Sequence, residues 1–74
     1  MADVTVIFDM SPRATGAYYV AGRYVMHRRE VCVVANTVRL DGTRYRAVLR
    51  PVPRPTMAQR REAEQWLRDN PFAR

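Results

Sequence analysis

The dipeptide Asp41-Gly42, inside "TVRLDGTRYRAVLRP" (residues 37–51), constrains this chain more than any other feature. A two-residue type I′ turn needs positive φ at both central residues, which Asp and Gly tolerate best, and the flanking segments are rich in β-branched residues. The expectation is a hairpin over residues 31–50 turning at 41–42. Such a loop sets a register in which Leu40 faces Thr43, Arg39 faces Arg44, Val38 faces Tyr45, Thr37 faces Arg46, Asn36 faces Ala47, Val34 faces Leu49 and Val33 faces Arg50. Alternation then sends Val34, Val38, Leu40, Tyr45, Ala47 and Leu49 to one face, and Thr37, Arg39, Arg44, Arg46 and Arg50 to the other. A three-residue loop would place Val38 opposite Arg46 and mix charged with apolar side chains, a slip that a buried face opposes.

The remaining elements are read around this hairpin. "VTVIFDM" is a strand over 4–10 with Val4, Val6, Phe8 and Met10 on one face, stopped by Ser11-Pro12. The density of Tyr18, Tyr19, Val20, Tyr24 and Val25 favours a second hairpin over 17–27, turning at Ala21-Gly22, although Ser11 also suits the cap of a short helix there. "RPVPRP" ends the long hairpin and makes residues 51–55 a stiff linker, because proline cannot donate to a sheet ladder. Thr56 followed by Gln59 is a capping box opening a helix over 56–69, with Met57, Ala63, Trp66 and Leu67 as its apolar stripe. Arg60–Glu64 and Glu64–Arg68 are i,i+4 pairs, and Asn70-Pro71 stops the helix with Asn in a left-handed cap. The fold class expected is α+β: a small antiparallel sheet of three to five strands with one C-terminal helix packed on it, in a single domain over residues 1–74.

Seventy-four residues support one hydrophobic core, which at this size buries only about 60–65% of the unfolded surface. Cys32 is the only cysteine and lies in the apolar run "VCVVA", so no internal disulfide forms and a reducing compartment is expected. The N-terminus carries Asp3 and no basic leader, and no apolar run approaches the ~18 residues of a membrane span. A cytoplasmic protein without a membrane partner is therefore expected. Net charge is +6, from 13 arginines and no lysine against seven acids; residues 38–74 hold nine of the arginines and four of the acids. This balance favours acidic protein surfaces or polyanions as partners. The exclusive use of arginine has a second source, since GC-rich coding favours Arg over Lys whatever the protein does.

Catalytic and metal sites lack their parts. One histidine and one cysteine make neither a tetrahedral zinc site nor a supported Cys-His nucleophile, and Gly16, Gly22 and Gly42 match no phosphate-binding glycine motif. His27 stands in "VMHRRE" among positive charge and reads as a strand-end surface residue. The chain is read as non-enzymatic, with no cofactor and no metal. Its candidate binding residues are Arg39, Arg44, Arg46 and Arg50 with Thr37 between them, extended by Arg28 and Arg29. Guanidinium forks suit bidentate contact with carboxylates or phosphates. The opposed pair Arg39/Arg44 favours a binding surface over a merely solvated one, because like charges facing across strands cost tenths of a kcal/mol to about 1.

In its size, its arginine bias, its "RLDGTRYR" hairpin and its "TMAQRREAEQWL" helix, the chain resembles the short early proteins with which bacteriophages take over host machinery. Among these it is similar to the small phage regulators that bind host RNA polymerase, block initiation and let elongation pass terminators. The resemblance is one of type and spans the whole chain, so no functional position is carried over from it. It implies host RNA polymerase as partner, in the host cytoplasm. Direct DNA or RNA binding is the alternative. Anti-CRISPR-type inhibition of another host complex is a further one, although inhibitors that mimic DNA are acidic and this chain is basic.

Overall fold

The β-branched and aromatic runs form four strands. In the computed structural model, which describes residues 2–73, these are β1 (Val4–Asp9), β2 (Tyr24–His27), β3 (Glu30–Asp41) and β4 (Arg44–Pro51). They build one antiparallel sheet of order β1-β4-β3-β2. Helix α1 (Met57–Asp69) packs chiefly against the edge strand β2, and a 3-10 turn at Pro71–Ala73 follows it. The expected α+β class is the one that forms.

Alternation delivers the core. Val4, Val6 and Phe8 of β1 stand opposite Leu49, Ala47 and Tyr45 of β4 on the inner face. Val25, Cys32 and Val34 complete that face, and Trp66 comes to it from the helix, where Ala63 is also buried. Aromatic contacts run through the core: Phe8 meets Tyr19 edge-on at 5.3 Å between centroids, and Tyr19 meets Trp66 at 5.1 Å. Phe8 also stacks on Tyr45 at 5.7 Å. Cys32 is buried as expected, and burial, with the Glu30 carboxylate second, pushes its thiol pKa up. It therefore stays protonated at neutral pH.

The expected hairpin at 17–27 is half right. β2 forms, and a turn falls at Ala21-Gly22 with Gly22 at φ 87°, but residues 17–20 make no strand. The reason lies in where their backbone groups bond. Tyr18 N–H donates to Asn70 Oδ1 at 3.0 Å, Tyr18 O accepts from Trp66 Nε1 at 2.8 Å, and Tyr19 O accepts from Thr37 Oγ1 at 3.3 Å. Side chains thus take three backbone groups of this segment that a strand would give to a ladder. It crosses between sheet and helix as a strap that buries Ala17 and Tyr19.

The long hairpin departs from the expected register. Asp41 pairs with Arg44, so the two loop residues are Gly42 and Thr43, with Gly42 at φ 47°. Two irregularities follow, between Arg39 and Asp41 and between Val34 and Asn36, each adding one residue to β3. Between them Val38 pairs with Arg46, Arg39 with Tyr45 and Thr37 with Ala47, the pairing first argued against. Beyond the second, Val34 opposite Leu49 and Val33 opposite Arg50 match expectation. Burial enforces register only where there is a core to enforce it. At the hairpin's far end Val38 and Leu40 are 40% and 41% exposed, and the inner position at 37 goes to the hydroxyl that the strap's Tyr19 carbonyl accepts.

The proline run ends the strand, one residue into the expected linker: Pro51 is the last residue of β4, opposite Cys32, and Val52 N–H still donates to Val31 O at 2.9 Å. Donors alternate sides along a strand, so the missing Pro51 N–H points toward β1, past the last pair of that ladder at Val4–Leu49.

The helix begins as the capping box dictates. Thr56 Oγ1 accepts from Gln59 N–H at 3.1 Å and Gln59 Oε1 accepts from Thr56 N–H at 2.9 Å, while Gln59 Nε2 donates to Tyr24 Oη at 3.0 Å. Glu62 accepts from Tyr24 N–H at 2.7 Å and from Arg23 Nε at 3.2 Å, sealing the open edge of β2. Met57 leaves the expected stripe and is 64% exposed, because it lies in the first turn, away from the face that Ala63 and Trp66 bury. Neither expected i,i+4 pair closes among the described residues; Arg68 donates to Gln65 Oε1 at 2.8 Å instead. Asn70 ends the helix at φ −129°, not left-handed, because its side chain is held by Trp66 O (2.7 Å) and Tyr18 N–H.

Trp66→Ala removes the core's largest side chain and the donor to Tyr18 together. Urea unfolding followed by circular dichroism is expected to show a loss of about 3–5 kcal/mol.

Candidate functional site

The helix and strap cover one face of the sheet, so the other faces outward across three strands. Along β4 its residues are Arg44, Arg46, Val48 and Arg50. Three of the four hairpin arginines expected to share a face therefore do so. Arg39 and Thr37 do not: the shifted register pairs them with Tyr45 and Ala47 on the inner side. Thr37 is half-buried against the strap, and Arg39 Nε donates to Gly42 O at 2.9 Å. The opposed Arg39/Arg44 pair is not formed, and the cross-strand repulsion it implied is absent.

Acids also reach this face. Arg44 stands in register with Asp9 on β1 and Asp41 on β3, and Arg50 Nη2 lies 3.5 Å from Asp3 Oδ2. The Asp9 carboxyl is held below the ordinary aspartate pKa, first by the Thr43 hydroxyl that donates to it and then by Ser11 N–H, with Arg44 adding a smaller pull. Arg46 alone among the three arginines has no carboxylate in register or at ion-pair distance among the described residues. Its register neighbours are Ile7, 57% exposed, and Val38. Beside this row lie Thr5, Val48 and Asn36. The face is an apolar patch centred on one uncompensated guanidinium.

Arg28 and Arg29 lie elsewhere, in the two-residue turn between His27 and Glu30, which pair across β2 and β3. Both adopt left-handed backbone, with φ 49° and 68°. This is the turn with positive φ at both central residues, and it carries neither Asn nor Gly. Such conformations cost a non-glycine residue about 1–3 kcal/mol each. Beside the turn, a groove of about 840 Å³ opens between the end of β2 and α1, with Arg28, Arg29 and Arg60 among its lining side chains. Sequence reasoning did not bring Arg60 to Arg29, because their proximity depends on how α1 packs against β2. The tyrosines offer no stacking platform: Tyr19 is buried, and Tyr18 and Tyr24 are half-buried with their hydroxyls bonded to Ser11 O and Gln59 Nε2.

Among the described residues no three His, Cys, Asp or Glu side chains gather where they could hold a metal ion, and no helix is long and apolar enough to cross a membrane. Comparison with protein-family models, curated proteins and solved structures finds no match to the chain.

Two measurements check this geometry. Because the folded-state pKa of Asp9 is lowered, its contribution to stability is present above the unfolded value and is lost as pH falls through the lowered one. Thr43→Val is expected to move the Asp9 carboxyl midpoint upward in an NMR titration. Replacing Arg28-Arg29 by Asn-Gly, the pair suited to positive φ, is expected to raise unfolding free energy by about 1–3 kcal/mol in urea melts.

Proposed function

We propose that the chain is a non-enzymatic docking protein of the phage-regulator type, which attaches to host RNA polymerase in the host cytoplasm and modulates transcription by inhibiting initiation or by letting elongation pass terminators. The observation that carries this reading is the make-up of the outer sheet face. Arg50 is paired with Asp3, and Arg44 stands in register between Asp9 and Asp41, so acids accompany the arginines at both ends of this face and reduce the charge it offers a polyanion. What it offers is Ile7, Val38 and Val48 around Arg46. A central arginine among apolar groups is the anatomy of a protein–protein hot spot, where the partner supplies a desolvated carboxylate and an apolar rim. The resemblance to phage regulators supports RNA polymerase as that partner, and the net charge of +6 supports an acidic docking surface on it. Direct nucleic-acid binding belongs to a different surface, at the β2–β3 turn.

The test is retention of the tagged protein on nuclease-treated, immobilised bacterial RNA polymerase, with run-off and terminator read-through assays on the same preparation. Arg46→Glu is expected to weaken retention by about thirtyfold or more, as loss of a hot spot does, and Ile7→Asp to act in the same direction. Melting temperature is expected to stay within a few degrees for both exposed sites. Absence of retention, or retention indifferent to both substitutions, rejects the reading.

A further inference from the structure

The β2–β3 turn holds charge in a form the rest of the protein does not use. Arg28 and Arg29 both sit in left-handed backbone, and among the described residues neither they nor Arg60 is in an ion pair or a side-chain hydrogen bond. Every other feature of the local fold is satisfied without them: β2 is sealed by Glu62 and the helix start by Gln59. Strain retained at two adjacent exposed cations points to a ligand that the cations meet.

The groove they border has the composition of a nucleotide site. Met26 and Leu67 supply apolar contact, the three guanidiniums supply a cationic rim, and Glu64 supplies one acceptor. Its volume, about 840 Å³, lies within the range of small-molecule sites. A bare polyanion has no use for the apolar wall and would be opposed by Glu64. A nucleotide matches all of it: phosphate on the guanidinium forks, base against Met26 and Leu67, and a base N–H toward the Glu64 carboxylate. The cations also run past the groove. Arg29 and Arg60 border a second hollow of about 240 Å³ beside Pro53 and Pro55, and Arg28 borders a third of about 460 Å³, with Glu30 lining both. The three cations outnumber the carboxylates Glu30 and Glu64 and mark a track with room for successive phosphates, which a strand has and a free nucleotide lacks.

We propose that the β2–β3 turn and the adjoining face of α1 form a binding site for single-stranded nucleic acid, in which Arg28, Arg29 and Arg60 hold backbone phosphates and the Met26–Leu67 wall receives a base. Its arginines are not those of the outer sheet face, although Thr5 of that face lines the hollow beside Arg28.

Fluorescence polarisation with a labelled single strand of roughly ten nucleotides, and no polymerase present, tests the site. With three phosphates engaged, log affinity is expected to fall against log salt with a slope of about −2. Changing Arg28, Arg29 and Arg60 together to Gln is expected to weaken binding by about tenfold or more and to flatten that slope. Changing Arg44, Arg46 and Arg50 to Gln removes the same charge from the sheet face and is expected to cost far less. The Asn-Gly turn, which suits the backbone and so keeps the fold, is expected to weaken binding as the Gln variants do. An abasic strand with the same phosphates is expected to bind several-fold more weakly, since stacking or apolar base contact is lost.

No binding at low salt, or equal losses from both sets of Gln substitutions, overturns the proposal, the latter leaving only bulk charge attraction. Competition by a mononucleotide at equal phosphate concentration overturns the strand as occupant. A failed polymerase pull-down leaves these outcomes unaffected, and a failed strand titration leaves the pull-down unaffected.

Discussion

The hydrogen bond from the Trp66 indole to Tyr18 O is the contact on which the rest of the packing depends. A single sheet layer can bury one face only if something lies across it, and in this chain one thirteen-residue helix must do so. The helix reaches chiefly β2, the edge strand. The strap of residues 17–20 fills the remaining gap, placing Tyr19 between Phe8 and Trp66. It stays there because Trp66 and Asn70 satisfy both backbone groups of Tyr18, while Asn70 also takes up Trp66 O. The two bonds to Tyr18 join residues 48 and 52 positions apart, so the end of the helix and the entry to the sheet order each other.

That dependence explains which elements were legible in the sequence. Strands β1, β3 and β4 and the helix start rest on local signals: alternation, β-branched density and the Thr56–Gln59 reciprocal cap. The strap was not legible, because "AYYV" has the composition of a strand and its bonding partners lie far along the chain. The hairpin shows the same division within one element. Arg44, Arg46 and Arg50 share a face because alternation along β4 is local and uninterrupted. Their relation to Thr37 and Arg39 depended on cross-strand register, which the turn at Gly42-Thr43 shifts and two extra residues in β3 restore step by step. No composition rule announces those irregularities. One falls at the exposed end of the hairpin, and the other adjoins the core pair Val34–Leu49 and brings β3 back to the register that pair requires.

Charge followed the same logic. The structure brings Asp9 to the arginine face from β1, Asp3 from just before it and Asp41 from the end of β3. Acids at both ends leave Arg46 as the exception. The cationic ribbon becomes a mixed face with Arg46 among apolar neighbours at its centre, and a second group of arginines gathers at the β2–β3 turn. Surface function in so small a domain follows from geometry of this kind, since one covered face implies one uncovered face of equal size.

Coding bias accounts for arginine where a lysine would serve, but it does not account for arginine where a glycine would serve. Glycine codons are as GC-rich as arginine codons, and glycine takes positive φ without steric cost. The chain uses that freedom at Gly22 and Gly42 and forgoes it at residues 28 and 29. Two consecutive left-handed arginines are therefore neither the product of composition nor the most stable solution to a two-residue turn. The turn's only evident return is the pair of guanidiniums it presents beside Arg60. Stability given up at an exposed turn, in a domain whose core is thin to begin with, is the pattern expected when the exposed groups rather than the turn are what is kept.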